Sequence, residues 1–315
     1  MTGDLARTDP GSGRAPCTDP MTMFAVGDTV ASAGRVTARQ RLCACFTDHR
    51  GRIDLPALAV LFDHIGGIPF HDTVGGGSLQ SRLMLSAIGN LAVDELLCGV
   101  AELEMHDGSV GATGVRITTG SGAVCCMGTA RNVAVSRAAD ADPAAADGDG
   151  IGPIPECVGA HDVNLPDPID EGDDGVAIVE KIAAGRRPAG PIADLLRARV
   201  EISRGSDGSD RRLRVVVDTA PWMGNMFGTM HGGVIATIVG QACSYAGQLG
   251  TTPGQDYRVG DLAVAFFRSP DVRGTEVVVE VEPVKIGRRI ASVRARMLGP
   301  DAKLLAEGVS DIYFG

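Results

Sequence analysis

The chain repeats its own plan once, and that constrains its fold more than any other feature. Each half opens with a strand that ends in a turn: Arg35–Thr47 before Asp48-His49-Arg50-Gly51, and Leu213–Asp218 before Ala220-Pro221. One apolar, weakly charged helix follows, Leu55–Ile65 or Gly233–Gln248, and then a Gly-rich loop, Val74–Gly77 or Gly250–Gly254. Alternating strands close each half. They are expected at Ser81–Ile88, Leu96–His106, Gly111–Thr119 and Ala123–Val135, and at Asp261–Phe267, Glu276–Val284, Arg289–Leu298 and Lys303–Phe314. The period of two is plain in Arg289-Ile290-Ala291-Ser292-Val293-Arg294-Ala295-Arg296. Asp54 and His231 stand 177 positions apart, as do Asp63 and Gly240, and Val115-Arg116 matches Val293-Arg294 at 178. A central helix followed by antiparallel hairpins, used twice, is an α+β arrangement.

Charge separates the halves. Residues 138–175 hold eleven acidic side chains, no Lys or Arg, and five prolines. This stretch accounts for −11 of a net −10, so the rest of the chain sums to +1. Such a composition buries too little apolar surface to order itself. The expected organisation is a disordered tail (1–22), an N-terminal domain (23–137), an acidic disordered linker (138–175) and a C-terminal domain (176–315). The acidic balance argues against sequence-independent nucleic-acid binding. An aromatic content of 4% argues against a base-stacking platform.

Eight cysteines occur without a C-x-x-C pair, so neither a zinc ribbon nor a redox motif is expected. Cys43 and Cys45, on one face of an expected strand, read as small buried hydrophobes. The N-terminus lacks the apolar core of a signal peptide. Ala220 to Gln255 carries no Asp, Glu, Lys or Arg. Its apolar helical part is far short of the ~20 residues that a spanning helix needs, so a helix wrapped by protein explains it better. These features predict a cytoplasmic, reduced chain with no membrane span.

The segment Asn225-Met226-Phe227-Gly228-Thr229-Met230-His231-Gly232-Gly233 carries the chemistry. Two glycines open the buried helix, where backbone N–H groups are free and the helix dipole is positive. Glycine lets a substrate carbonyl approach that backbone, which is the arrangement of an oxyanion hole. Asn225 and His231 can add polar contacts.

This segment resembles the signature of hotdog-fold acyl-CoA thioesterases of the phenylacetate-degradation type. Val284-Lys285-Ile286-Gly287-Arg288-Arg289 and Leu305-Ala306-Glu307-Gly308 are similar to that family's closing strands. The likeness covers most of 190–315 and, more weakly, 35–136. It implies a double hotdog: two antiparallel sheets, each wrapped around a central helix, in a single-chain pseudo-dimer. It also implies an active site between the halves, with Asn, His and an oxyanion glycine from one. The other supplies an acid nine residues after its own His position, and a Ser or Thr about eighteen further on.

The two halves depart from that pattern in complementary ways. Nine after His231 stands Gly240, so the C-terminal half lacks the acid. The N-terminal half reads Asp54-Leu55-Pro56 where the oxyanion loop belongs, yet it keeps Asp63 and, eighteen later, Ser81. Combining the halves gives one catalytic set: Asp63, Ser81, Asn225, His231 and Gly232. The mirror set of Asp54 and Gly240 should be dead.

The implied activity is acyl-CoA thioester hydrolysis, with Asp63 as general base or as nucleophile. Gly233, Phe62, Phe227 and Met230 are expected around the acyl group, with Ile65 close by. Arg288 and Arg289 are expected at the CoA phosphates. No metal or cofactor is implied. An acyl-carrier-protein thioester is the other substrate in view, and the resemblance allows a homodimer of pseudo-dimers. The alternatives are a non-catalytic acyl-CoA-binding or regulatory hotdog protein, or a hotdog hydratase or dehydratase. The loop motifs of the last two do not occur in the sequence.

Overall fold

The computed structural model describes residues 19–135, 152–158, 163–204 and 211–315. The repeat is realised as twelve strands and two long helices. In the first half β1 (Val26–Ser32) and β2 (Arg35–Arg41) precede α2 (Ala59–Val74), after a short α1 (Pro20–Met23). Then come β3 (Ser78–Ala87), β4 (Leu96–His106), β5 (Val110–Thr118) and β6 (Val124–Ala134). The second half runs α3 (Gly175–Ala183), α4 (Pro191–Leu195), β7 (Ala198–Arg204), β8 (Arg211–Asp218) and α5 (Gly232–Leu249). It closes with β9 (Tyr257–Phe266), β10 (Glu276–Ile286), β11 (Ile290–Leu298) and β12 (Leu304–Phe314).

The strand order is β1-β2-β4-β5-β6-β3-β9-β12-β11-β10-β8-β7. Read from either edge, it presents corresponding strands of the two halves in the same sequence. This is a double hotdog, but its two half-sheets do not stay separate. β3 and β9 pair antiparallel from Arg82↔Ala265 to Ser86↔Asp261, and this seam makes one twelve-stranded sheet. Pairing satisfies the backbone groups of two strands that would otherwise be open edges.

Both long helices lie on one face of the sheet and against each other. Every residue of α5 from Gly233 to Tyr245 is buried, which explains why that stretch carries no charge. Among the described residues no helix is long and apolar enough to cross a membrane. Glycines set the close approach of the helices. A Cβ on Gly233 would come within 2.6 Å of the Val60 Cα, and one on Gly240 within 2.8 Å of the Pro56 ring.

Several expectations change here. α2 does not stop at Ile65 but continues through Gly66-Gly67 and Pro69 to Val74, capped by Gly75 at φ 62°. The glycines are there for packing: a Cβ on Gly66 would come within 2.7 Å of the Ala130 Cβ, and one on Gly67 within 2.7 Å of Gln80 Nε2. Asp63 is therefore inside a helix and not at its end.

Part of the linker is also ordered. Asp28 N–H donates to the Gly152 carbonyl (3.0 Å), and Ile154, Val163 and Ile169 pack on the core. Cys157 forms a disulfide with Cys43, across 114 positions, so Cys43 is buried but not a free thiol. The expectation of a fully reduced chain is corrected at this pair. Residues 138–151 and 159–162 of the expected linker lie outside the described residues, as do 1–18 of the expected tail. Residues 20–23 form α1, capped by the Asp19 carboxylate on Thr22 N–H (2.7 Å).

Candidate active site

A cleft of about 720 Å³ opens where α2 of the first half meets the N-terminus of α5 of the second. α5 starts at Gly232, and His231 caps it, its Nδ1 3.1 Å from Gly233 N. Asp63 reaches this helix start from α2. Its Oδ2 accepts the Gly233 N–H at 2.7 Å and lies 3.0 Å from His231 Nδ1. Gly232 has to be glycine, because a Cβ there would sit 2.8 Å from Asp63 Oδ1 and 3.0 Å from Oδ2.

Burial raises the Asp63 carboxyl to about 7, and the Gly233 N–H pulls it back only in part. Burial lowers His231 to about 4, so at neutral pH its ring is neutral. One proton then bridges Asp63 Oδ2 and His231 Nδ1. When Asp63 is ionised, Nδ1–H donates to it; when Asp63 is protonated, Oδ2–H donates to Nδ1. Asp63 Oδ1 is buried with no hydrogen-bond partner, a costly state for a carboxylate oxygen. A carboxyl poised near neutrality, beside a first-turn N–H that no helix carbonyl can satisfy, can exchange a proton with a bound reactant.

The other expected residues divide. Asn225 lines the cleft, but its Oδ1 is spent on its own loop, accepting from Phe227 N (2.9 Å) and Thr229 N (3.3 Å). Its Nδ2 is the end left for a ligand. Phe227 lines the cleft, whereas Phe62, Ile65 and Met230 are fully buried in the core and do not.

Ser81 is also outside the cleft. The β3–β6 register slips between Gln80 and Arg82, and Ser81, in the bulge, donates to the Arg131 carbonyl at 3.2 Å. Gln80 takes the inward position instead, and its Nε2 donates to the Asp63 backbone carbonyl. Arg288 and Arg289 stand exposed on the β10–β11 turn and do not line the cleft. Ile286, from the same hairpin, lines a different cavity with Ala246 and Leu249 at the far end of α5.

Sequence reasoning missed several cleft residues. His64, held by Thr29 Oγ1 at 3.1 Å, and Asp19, Met21 and Ile68 all line it. His64 follows Asp63 directly, and Ile68 lies one turn further on the same helix; that spacing was a usable signal. Nothing local marked the α1 residues.

The mirror position is filled. At the offset of 177, Asp48 corresponds to Asn225 and Arg50 to Phe227. Asp48 keeps the Asn225 geometry, its Oδ1 accepting from Arg50 N (2.8 Å) and Arg52 N (3.2 Å). The Arg50 side chain, 5% exposed, runs into the place of a ligand. It pairs with Asp48 (2.6 Å) and Asp54 (3.1 Å), and its guanidinium lies 3.7 Å from the Tyr257 ring centroid. Where the cleft has Gly233 N–H under Asp63, the mirror has Pro56, which has no N–H, under Gly240, which has no carboxylate. The segment entering α4 covers this side: Arg187 Nη2 donates to His49 O (2.8 Å), and Ile192 N to Thr47 O (3.0 Å).

Residues 227–306 match the sequence profile of the thioesterase superfamily. No curated protein sequence matches the chain. Three solved structures share its fold over nearly their whole length. A hot dog fold protein of unknown function from Alicyclobacillus acidocaldarius is 12% identical, with TM-score 0.55, over 95% of this chain and 98% of that one. An acyl-CoA thioesterase II of Mycobacterium marinum is 11% identical, with TM-score 0.53, over 94% and 98%. A tesB protein of Mycobacterium avium subsp. paratuberculosis is 8% identical, with TM-score 0.55, over 91% and 96%.

Proposed function

We propose that the chain hydrolyses acyl-CoA thioesters at one composite site, built from Asp63 of the first half and the Asn225–Gly233 segment of the second. The observation that carries this reading is the Asp63 carboxylate on the Gly233 N–H, with a neutral His231 against the same oxygen. The thioesterase-superfamily match over 227–306 supports the reaction class.

The reaction follows from these groups. The ionised Asp63 takes a proton from a water, whose oxygen attacks the thioester carbonyl. The Gly232 N–H, at the positive end of α5, stabilises the oxyanion. Collapse breaks the C–S bond, and the thiolate leaves to be protonated as free CoA. Asn225 Nδ2 is free to orient the thioester. His231 holds the Asp63 proton in place through Nδ1. A carboxyl near 7 suits a general base working at neutral pH.

The mirror position contributes no second site, because Pro56 and Gly240 replace donor and acid. Release of CoA from a panel of acyl-CoA thioesters, followed with a thiol reagent, tests the reading. Release by the wild type and its loss in D63N are the expected results. Binding of acyl-CoA without release would favour a ligand-holding role instead.

A further inference from the structure

The cleft needs an anion-binding mouth if its substrate carries phosphates, and Arg288 and Arg289 are not at it. Three other arginines stand near it, outside its lining. β3 and β9 pair no further than Arg82↔Ala265, and the cleft-lining Gln80 and Phe266 stand just beyond that last pair, where the strands part. The bulge at Ser81 turns Gln80 inward and leaves Arg82 on the outer face of the sheet. Arg131, opposite Arg82 on β6, shares that outer face while its neighbour Asn132 points inward, and Arg268 lies between the cleft-lining Phe266 and Ser269 beyond the end of β9. All three are exposed.

Their arrangement places like charges together, which a bound anion would relieve. Arg82 and Arg131 stand directly opposite each other in the β3–β6 ladder, where like charges repel. Neither makes an ion pair among the described residues. On the other side Arg82 faces Ala265, and Ala265 faces Glu307, which lies 3.9 Å from Arg294. Arg268 donates only to a neutral carbonyl, Leu304 O at 3.2 Å. Arg268 lies three residues beyond Ala265, within about 10 Å of the Arg82 partner position. Arg82 and Arg131 on the outer sheet face, and Arg268 beyond β9, thus flank the place where β3 and β9 part beside the cleft-lining Gln80 and Phe266.

We propose that Arg82, Arg131 and Arg268 bind the nucleotide phosphates of a CoA thioester while the pantetheine arm enters the cleft past Gln80 and Phe266. This rests on the hydrolase reading above. Guanidinium groups suit phosphate because they offer several parallel N–H donors.

The test compares acyl-CoA with the same acyl group on pantetheine, which has no phosphates, for the wild type, R82A/R131A and R268A. The expected wild type prefers acyl-CoA in kcat/KM. In the double variant that preference falls by about tenfold or more through KM, and raised salt weakens the wild type in the same way. An acyl-phosphopantetheine arm separates one terminal phosphate, as on a carrier protein, from the full nucleotide. A preference unchanged in both variants, or lost equally on both substrates, overturns the proposal. Circular dichroism checks that the variants fold. If the wild type hydrolyses no thioester, calorimetric binding of CoA against pantetheine still tests the rim, so the two failures are distinguishable.

Discussion

Replacing Asp63 with Asn should abolish turnover and stabilise the protein at alkaline pH. Asn keeps the shape and an oxygen for the Gly233 N–H, but it cannot take a proton. Loss of a general base costs about 10²–10⁴ in rate. The stability effect follows from the same burial. The Asp63 carboxyl stands at about 7 in the fold against an ordinary 3.8. Between those values the folded chain holds a proton that the unfolded chain releases. The protonated carboxyl's contribution is therefore complete below 3.8, falls as pH rises, and is gone above about 7. The gap corresponds to about 4 kcal/mol as a ceiling, and about 2 kcal/mol is the expected gain once local water relaxes the site.

Thermal melts of wild type and D63N at about pH 4 and pH 8 read this directly. The variants should coincide at the acid end and separate at the alkaline end, by about 2–4 °C per kcal/mol. The kcat of the wild type should rise with pH through about 7, as Asp63 ionises. An offset in melting that does not change with pH, or a D63N enzyme that keeps its kcat, refutes the reasoning.

Other outcomes follow from neighbouring contacts. Gly232→Ala puts a methyl 2.8 Å from Asp63 Oδ1, so kcat should fall at least about tenfold, with about 1–3 kcal/mol lost in urea denaturation. Arg50→Ala leaves Asp48 and Asp54 buried without their cation; about 3–5 kcal/mol should be lost in the same measurement, with kcat per folded molecule retained. Thiol titration of the unreduced, denatured chain should find at most six of its eight cysteines, and all eight after reduction. Reduction should also lower stability, by up to about 4–5 kcal/mol for a closed loop of 114 positions.

Much of this architecture is legible in the sequence because it is local or repeated. Period-two runs located the eight strands that follow the two helices, and the uncharged stretch after Ala220 marked a helix buried all round. The offset of 177 set Asp54 against His231 and Asp63 against Gly240, and the resemblance to the thioesterase pattern then implied that Asp63 meets His231. What stayed hidden depends on contacts between distant segments. Gly66-Gly67 looks like a helix stop, but the space they leave is taken by Ala130 and Gln80. Ser81 has the right spacing, but a bulge turns Gln80 inward in its place. Cys43 looks like one more buried thiol until the acidic linker returns across β1 and brings Cys157 to it. Arg288 and Arg289 follow a familiar pattern but belong to the hairpin at the far end of α5.

The filled mirror cleft accounts for the asymmetry of the whole chain. A single-chain pair of hotdogs starts with two equivalent crevices, each joining one half's helix to the other's helix start. At the mirror position Gly240 offers no carboxylate, and an empty crevice is a standing cost in unfilled volume and unsatisfied donors. Arg50 removes that cost by occupying the volume, and Asp48, Asp54 and the Tyr257 ring satisfy its charge. Asp54, at the position that corresponds to His231, is held by this cation at 3.1 Å. In the open cleft, which Phe227 and Asp63 both line, an arginine in place of Phe227 would bring a cation toward Asp63 and favour its ionised form. The two crevices thus differ in kind: ion pairs fill one, and the other holds a buried carboxyl raised to about 7 with one oxygen unpartnered.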